Sequence, residues 1–167
     1  MKKKILITGS SGFLGNLAKE YFGQNYNLVL VDLTSSNDVN FYKTDIGNFK
    51  EIDGIISKEK PNIIFHFASE IFDTYNKKKI YKTNVEGSRN IKISAIKNNV
   101  ENLIFTSTFS LFEKNYDYLI NESEPISCKN YYGVTKYEVE KILLDTESNL
   151  NISIFRCPII VDKSRAH

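Results

Sequence analysis

The chain has 167 residues, 41% hydrophobic and 25% charged, which fits one domain with a sizeable core and excludes a disordered or low-complexity protein. Lys and Arg number 22 against 20 Asp and Glu, so no basic face for a nucleic acid is implied; the clusters MKKK and NKKKIYK read as solvated faces of ordinary elements. The early apolar run Ile5–Ile7 is too short for a signal peptide or a membrane span, and Cys128 and Cys157 lack metal-ligand spacing, so reduced thiols, no metal, no membrane and cytoplasmic residence are the expectation.

Lys3 to Thr8 (KKILIT) is a short apolar run that predicts a strand buried on both faces, and it leads into three glycines at every third position. The following segment, GFLGNLAKEYFG, spaces Phe13, Leu17 and Phe22 as a helix does. NLVLVD (Asn27 to Asp32) predicts a second buried strand, VNFYKTD a third, and Asn48 to about Ser57 a helix. PNIIFHFAS supplies a fourth strand, starting just after a proline. From Asp73 to Asn98 a long helix is predicted, with Ile80, Asn84, Ser88, Ile91 and Ala95 as its inward stripe. NLIFTS is a fifth strand, YYGVTKYEVEKILLD a helix and NISIFR a sixth strand. Strands alternating with helices predict an α/β fold: a doubly wound parallel sheet with right-handed crossovers and helices on both faces. Ligands in such sheets sit beyond the carboxyl ends of the strands.

Gly9, Gly12 and Gly15 end the first strand and start its helix, where free N–H groups and the helix dipole favour a phosphate that any side chain would hold off. Asp32 ends the second strand, where a dinucleotide-binding fold places the carboxylate that accepts ribose hydroxyls; its charge favours NAD over NADP. In YYGVTK, Tyr132 and Lys136 fall at i and i+4 on one helical face. A neighbouring ammonium, aided by a positive nicotinamide ring, lowers a phenol's pKa, so Tyr132 is predicted to serve as a general base. His66, in an apolar strand, reads as a core residue.

Together these features resemble the extended branch of the short-chain dehydrogenase/reductase superfamily, the NAD-dependent epimerase/dehydratase family. The resemblance rests on TGSSGFLG, TDI, HFAS, TNVEGS, TSTFSLF, YYGVTK and FRCP, in that order along nearly the whole chain. It implies a Rossmann-like strand order 3-2-1-4-5-6 and NAD held by the turn from Gly9 through Ser11, Gly12, Phe13 and Leu14 to Gly15, and by Asp32. It implies that Asp45 accepts from the adenine amino group with Ile46 on the ring, and that Phe67, Ala68 and Ser69 lie against the cofactor. Asn84 would position the network beside it. Ser107 and Cys157 would lie at the nicotinamide end, Lys136 on the ribose, and Thr108 on the reacting oxygen, with Tyr132 and Lys136 completing the catalytic set.

Three departures qualify the resemblance. Phe109 and Ser110 replace the acidic pair of many dehydratases, which argues against dehydration. Phe112 and Glu113 stand where the family often has Tyr and Gly. The chain stops at His167, past the sixth strand, where relatives continue into a substrate lobe, so one domain over 1–167 without that lobe is expected. The implied function is an NAD-dependent sugar-nucleotide epimerase working through a keto sugar; a catalytically idle NAD-binding module and a nucleotide-sugar reductase are the alternatives. A homodimer is expected through the Asp73–Asn98 and Tyr131–Ser148 helices, with Tyr137, Ile142 and Leu144 as an outer stripe.

Overall fold

The computed structural model describes residues 2–71, 76–112, 118–145 and 147–160. Among these described residues six strands, β1 (Lys4–Thr8), β2 (Asn27–Asp32), β3 (Phe41–Lys43), β4 (Ile63–His66), β5 (Asn102–Thr108) and β6 (Asn151–Cys157), form one sheet. Every pairing is parallel and the order is β3-β2-β1-β4-β5-β6, the predicted arrangement. The order reverses between β1 and β4, which opens a crevice beyond their carboxyl ends.

Side-chain alternation sorts the sheet residues into two layers. Leu6, Val29, Val31, Ile64, Leu103 and Phe105 face three helices: α2 (Phe49–Glu59), α4 (Gly87–Lys97) and α5 (Tyr131–Leu144). Ile5, Ile7 and Leu30 face the opposite way, toward Ala18 and Phe22 of α1 (Phe13–Phe22). Helices therefore cover both faces, but unequally, and on the α1 side of β6 Phe155 is left 56% exposed.

The predicted first helix forms as α1, with Gly15 and Ala18 turned inward and Leu17 exposed. Two element predictions need correction. Only Phe41–Lys43 of the third strand pair; Asn40 at φ 57 breaks the extended backbone before them, and Val39 lies in solvent. The long helix is composite: α3 (Lys77–Tyr81), a π-helical turn (Lys82–Glu86) and α4. Its predicted start at Asp73 lies outside the described residues. The stripe itself is as expected, with Ile80, Asn84, Ser88, Ile91 and Ala95 all buried.

Candidate active site

Gly9 has φ +70, and a Cβ there would lie 2.7 Å from the Ala68 nitrogen, since the turn crosses the chain leaving β4. At Gly15 a Cβ would overlap the Gly9 carbonyl and lie 2.6 Å from Ser10 Cα. Gly12 differs: its only close neighbour would be the Gly9 oxygen at 3.2 Å, and it is exposed. Gly9 and Gly15 thus also serve the protein's own backbone packing, while Gly12 is required by no such contact.

Asp32 is drawn to this turn. Its Oδ2 accepts from the Ser11 N–H at 2.9 Å and its Oδ1 from the Thr34 N–H at 2.8 Å. Further along, Asp45 Oδ1 accepts from the Gly47 N–H at 2.8 Å and its carboxylate pairs with Lys82 at 3.5 Å. Ile46, 4% exposed, packs closely on Gly87, where a Cβ would lie 2.7 Å from the Ile46 Cδ1 and force that side chain to shift.

The loop after β4 is held from behind. Asn84 Oδ1 accepts from Ser69 Oγ at 3.2 Å and the Glu70 N–H at 2.8 Å, while Nδ2 donates to the Glu70 carbonyl and Thr135 Oγ1, both at 3.1 Å. Every donor and acceptor of the amide is used. Asn84 does not line the cavity; it fixes Ser69, which does. His66 is fully buried between Thr8 and Ser88, and burial, reinforced by the nearby Lys136 charge, pushes its pKa down to about 3.

At the other end, the register pairs Thr108 with Cys157 on neighbouring strands. Thr108 Oγ1 accepts from the Ser110 N–H at 3.1 Å, which turns the chain and leaves its own O–H to donate elsewhere. Asn130 caps α5 by accepting from the Gly133 N–H at 2.6 Å, and Gly133 lets the Ser110 carbonyl approach the helix's first turn. That contact sets Tyr132 beside Thr108. Lys136 is 3% exposed, donates to the Thr106 carbonyl at 2.7 Å and lies 4.4 Å above the Phe105 ring.

Burial pushes the Tyr132 phenol above the ordinary tyrosine value, against opposing hydrogen-bond effects of Ser69 and Thr108. Burial likewise pulls Lys136 down to about 7. In the protein alone, burial thus outweighs the lowering effects on the phenol; the depressed pKa expected at Tyr132 draws also on the positive nicotinamide ring. Burial also raises the Cys157 thiol, with Lys136 pulling it the other way. Ser107 Oγ is buried without a hydrogen-bond partner.

One cavity of about 1540 Å³ runs from the glycine turn to this cluster. It is lined by Gly9, Ser11, Gly12, Phe13, Leu14 and Gly15, then by Asp32, Asp45 and Ile46. Phe67, Ala68 and Ser69 form its middle, and Ser107, Thr108, Tyr132, Lys136 and Cys157 its far end, so Asn84 is the one sequence-predicted site residue set back from it. Sequence reasoning missed Leu33, Lys77 and Tyr131, the last two stacked with Lys77 Nζ 5.4 Å from the ring, and the wall of Phe109 and Phe112. Its place directly after the strand-ending Asp32 was the available signal for Leu33, and the YYGVTK motif that for Tyr131; Lys77 opens α3, and Phe109 and Phe112 follow β5, where no local pattern points to the cavity. Among the described residues no three His, Cys, Asp or Glu side chains converge as a metal site, and no helix is long and apolar enough to cross a membrane.

The fit to a dinucleotide is specific: open main chain at Gly12, a carboxylate at the end of β2, and buried Ser107 and Lys136 donors at the opposite end. Residues 5–161 match the model of the NAD dependent epimerase/dehydratase family. The UDP-glucose 4-epimerase of Dictyostelium discoideum is 29% identical over 160 residues, 85% of this chain and 46% of the relative. An Escherichia coli O157:H7 relative, N-acetyl-alpha-D-glucosaminyl-diphospho-ditrans,octacis-undecaprenol 4-epimerase, is 28% identical over 91% of this chain and 48% of its own. Among solved structures, the UDP-glucose 4-epimerase from Brucella ovis in complex with NAD superposes with a TM-score of 0.83 at 26% identity, covering 92% of this chain and 51% of that one. The Bordetella bronchiseptica enzyme WbmG in complex with NAD superposes with a TM-score of 0.86 at 21% identity over 93% and 53%, a likeness of fold. The chain spans about half the length of the curated relatives it matches. With the glycine turn, Asp32 and the Tyr132–Lys136 helix in one cavity, and the match running through all six strands, the chain belongs to the NAD dependent epimerase/dehydratase family, enzymes whose cofactor is NAD.

Proposed function

We propose that this chain is the cofactor-binding and catalytic half of an NAD-dependent sugar-nucleotide epimerase. The observation that carries the reading is that Thr108, Tyr132 and Lys136 share one cavity with Gly12 and Asp32. Bound NAD supplies a hydride acceptor and donor, so that a carbinol carbon of the sugar is oxidised to a ketone and reduced again from the opposite face. Gly12 and the N–H groups of its turn would hold the diphosphate, and Asp32 the adenosine ribose. Lys136 gives one N–H to the Thr106 carbonyl and in its charged form keeps two for the second ribose. Tyr132 takes the sugar hydroxyl proton and returns it after inversion, and Thr108 donates to the same oxygen. Phe109 offers an apolar wall where a dehydratase would need an acid. The relatives named as UDP-glucose 4-epimerases favour a UDP-sugar as substrate.

A substrate lobe outside this domain completes the proposal: Val134, Ile159 and Ile160 stand exposed at the cavity rim and would pack against it. A homodimer through α4 and α5 is also proposed, with Ile93, Ile96 and Leu144 exposed on them; Ile142 of the expected stripe packs partly on the core instead. Cys128 and Cys157, read as reduced thiols, suit cytoplasmic residence. Turnover of UDP-sugars by the enzyme with its substrate lobe tests the reading: Tyr132→Phe should bind NAD normally and lose at least ~100-fold in rate. A rate near that of the wild type with NAD bound would overturn it. Tight NAD binding with no turnover of any nucleotide sugar would favour the idle module.

A further inference from the structure

Arg156 lies outside the cavity, yet its contacts join β6, α5, the 118–130 segment and the Phe112 wall behind the cavity's catalytic end. It continues the Ile152–Ile154 row of β6 that faces α5, and in register it sits beside Ser107, one residue before the Thr108–Cys157 pair. Its Nε and Nη2 fork onto Glu140, at 3.1 and 2.7 Å, and Glu140 is 1% exposed. Its Nη1 donates to the Glu122 carbonyl at 2.9 Å, which anchors the 118–130 segment leading to α5. The guanidinium lies 5.3 Å from the Phe112 ring, and Phe112 meets Phe109 edge to face at 5.6 Å. Phe109 and Phe112 are cavity wall directly after Thr108.

Glu140 also stands one helical turn after Lys136, and a carboxylate there strengthens that amine's hold on its proton. The other titratable groups around Lys136 are Cys157 on β6, Tyr132 on α5 and neutral His66 on β4. A guanidinium forked onto Glu140 offsets its negative charge before it reaches Lys136. We propose that Arg156 is a positioning residue with two effects: it clamps the Phe112 wall and the 118–130 segment onto α5, and it shields Lys136 from Glu140.

The two effects separate experimentally in the protein as it stands. Lys136 is titrated through its ¹³Cε NMR signal, assigned with Lys136→Arg, and amide hydrogen exchange is followed over 118–130. Arg156→Gln should raise the Lys136 midpoint by about one pH unit and speed exchange of the segment about tenfold. Arg156→Lys keeps the charge without the fork, so the midpoint should stay near that of the wild type while exchange still quickens. Glu140→Gln should lower the midpoint, the sign opposite to that of Arg156→Gln, which general loosening would not produce. Should Arg156→Gln fail to fold, the Glu140→Gln/Arg156→Gln pair removes both charges, and its midpoint should return from the lowered Glu140→Gln value to near that of the wild type. A Lys136 midpoint that Arg156→Gln leaves unmoved, or the same sign of change in Arg156→Gln and Glu140→Gln, overturns the shielding role. Exchange over 118–130 within about twofold of the wild type overturns the clamp.

Discussion

Thr8 Oγ1 stands 2.7 Å from His66 Nδ1 inside the sheet, and the bonds around this pair fix every proton in it. Ser88 Oγ gives its hydrogen to the Asn84 carbonyl at 2.5 Å, so toward His66 it can only accept, and Nε2 carries the ring proton at 2.8 Å. Nδ1 therefore accepts from Thr8, whose oxygen accepts in turn from the Ala68 N–H at 3.2 Å. A single chain of donation runs from the Ala68 N–H at the cavity floor to the Asn84 carbonyl in the π-helical turn, with a neutral imidazole at its centre.

A neutral His66 gives the fold a pH dependence. Its folded pKa, about 3, lies below the unfolded value of 6.5, so between those limits the unfolded chain binds a proton the fold refuses. Stability should fall as pH drops from 6.5 toward 3, by about 1.4 kcal/mol per unit from this residue. Urea unfolding at pH 6.5 and 5, above the carboxylate range, should show that slope in the wild type and lose it in His66→Asn; equal slopes in the two would contradict the assignment.

Lys136 acts in the alkaline range. With a folded pKa of about 7 against 10.5 unfolded, the unfolded chain again binds the extra proton, and stability should rise with pH between 7 and 10.5. Lys136→Met should flatten that rise and gain stability at pH 7, as read from the same urea series; an unchanged rise would mean that the amine is solvated.

The three glycines should part company on substitution. Gly15→Ala forces overlap with the turn's own backbone and Gly9→Ala adds a positive φ, so each should cost about 1–3 kcal/mol or more. Gly12→Ala should unfold within about 1 kcal/mol of the wild type. Its loss should appear in NAD affinity instead, about tenfold or 1.4 kcal/mol by calorimetry. Undiminished affinity in Gly12→Ala would remove the phosphate from this turn.

Asp32 should set the choice of cofactor. The wild type is expected to bind NAD at least ~10-fold more tightly than NADP, and Asp32→Asn, which keeps an acceptor for the Ser11 or Thr34 N–H, should narrow that gap. Competitive calorimetry with both nucleotides reads the ratio; a gap that Asp32→Asn leaves intact would place the discrimination elsewhere.

The strands and the stripe on the composite helix were legible because burial leaves strong periodicities. The π-helical turn was not. Ile80, Asn84 and Ser88 step by four, and in a regular α-helix such a row drifts by about 40° each time. The wider turn at Lys82–Glu86 absorbs the drift, but a pattern of apolar positions does not record which carbonyl each N–H meets. In the site, the glycine turn, Asp32 and the Tyr132–Lys136 spacing could be read locally. The chain through His66 could not, since its partners lie 58 and 22 residues away. Nor could the proton affinity of Tyr132: spacing brought Lys136 near, but burial decided the sign for both groups.

The most direct test of an NAD site reaching from Gly12 to Tyr132 is a ¹H–¹⁵N NMR titration with NAD. Saturable shifts are expected at the Gly12, Phe13 and Leu14 amides and, in the same titration, at Ala68, Tyr132 and Cys157. Amides that stay in place at these positions while NAD saturates another surface, or no shift up to about 5 mM, weaker than any working cofactor affinity, would contradict it.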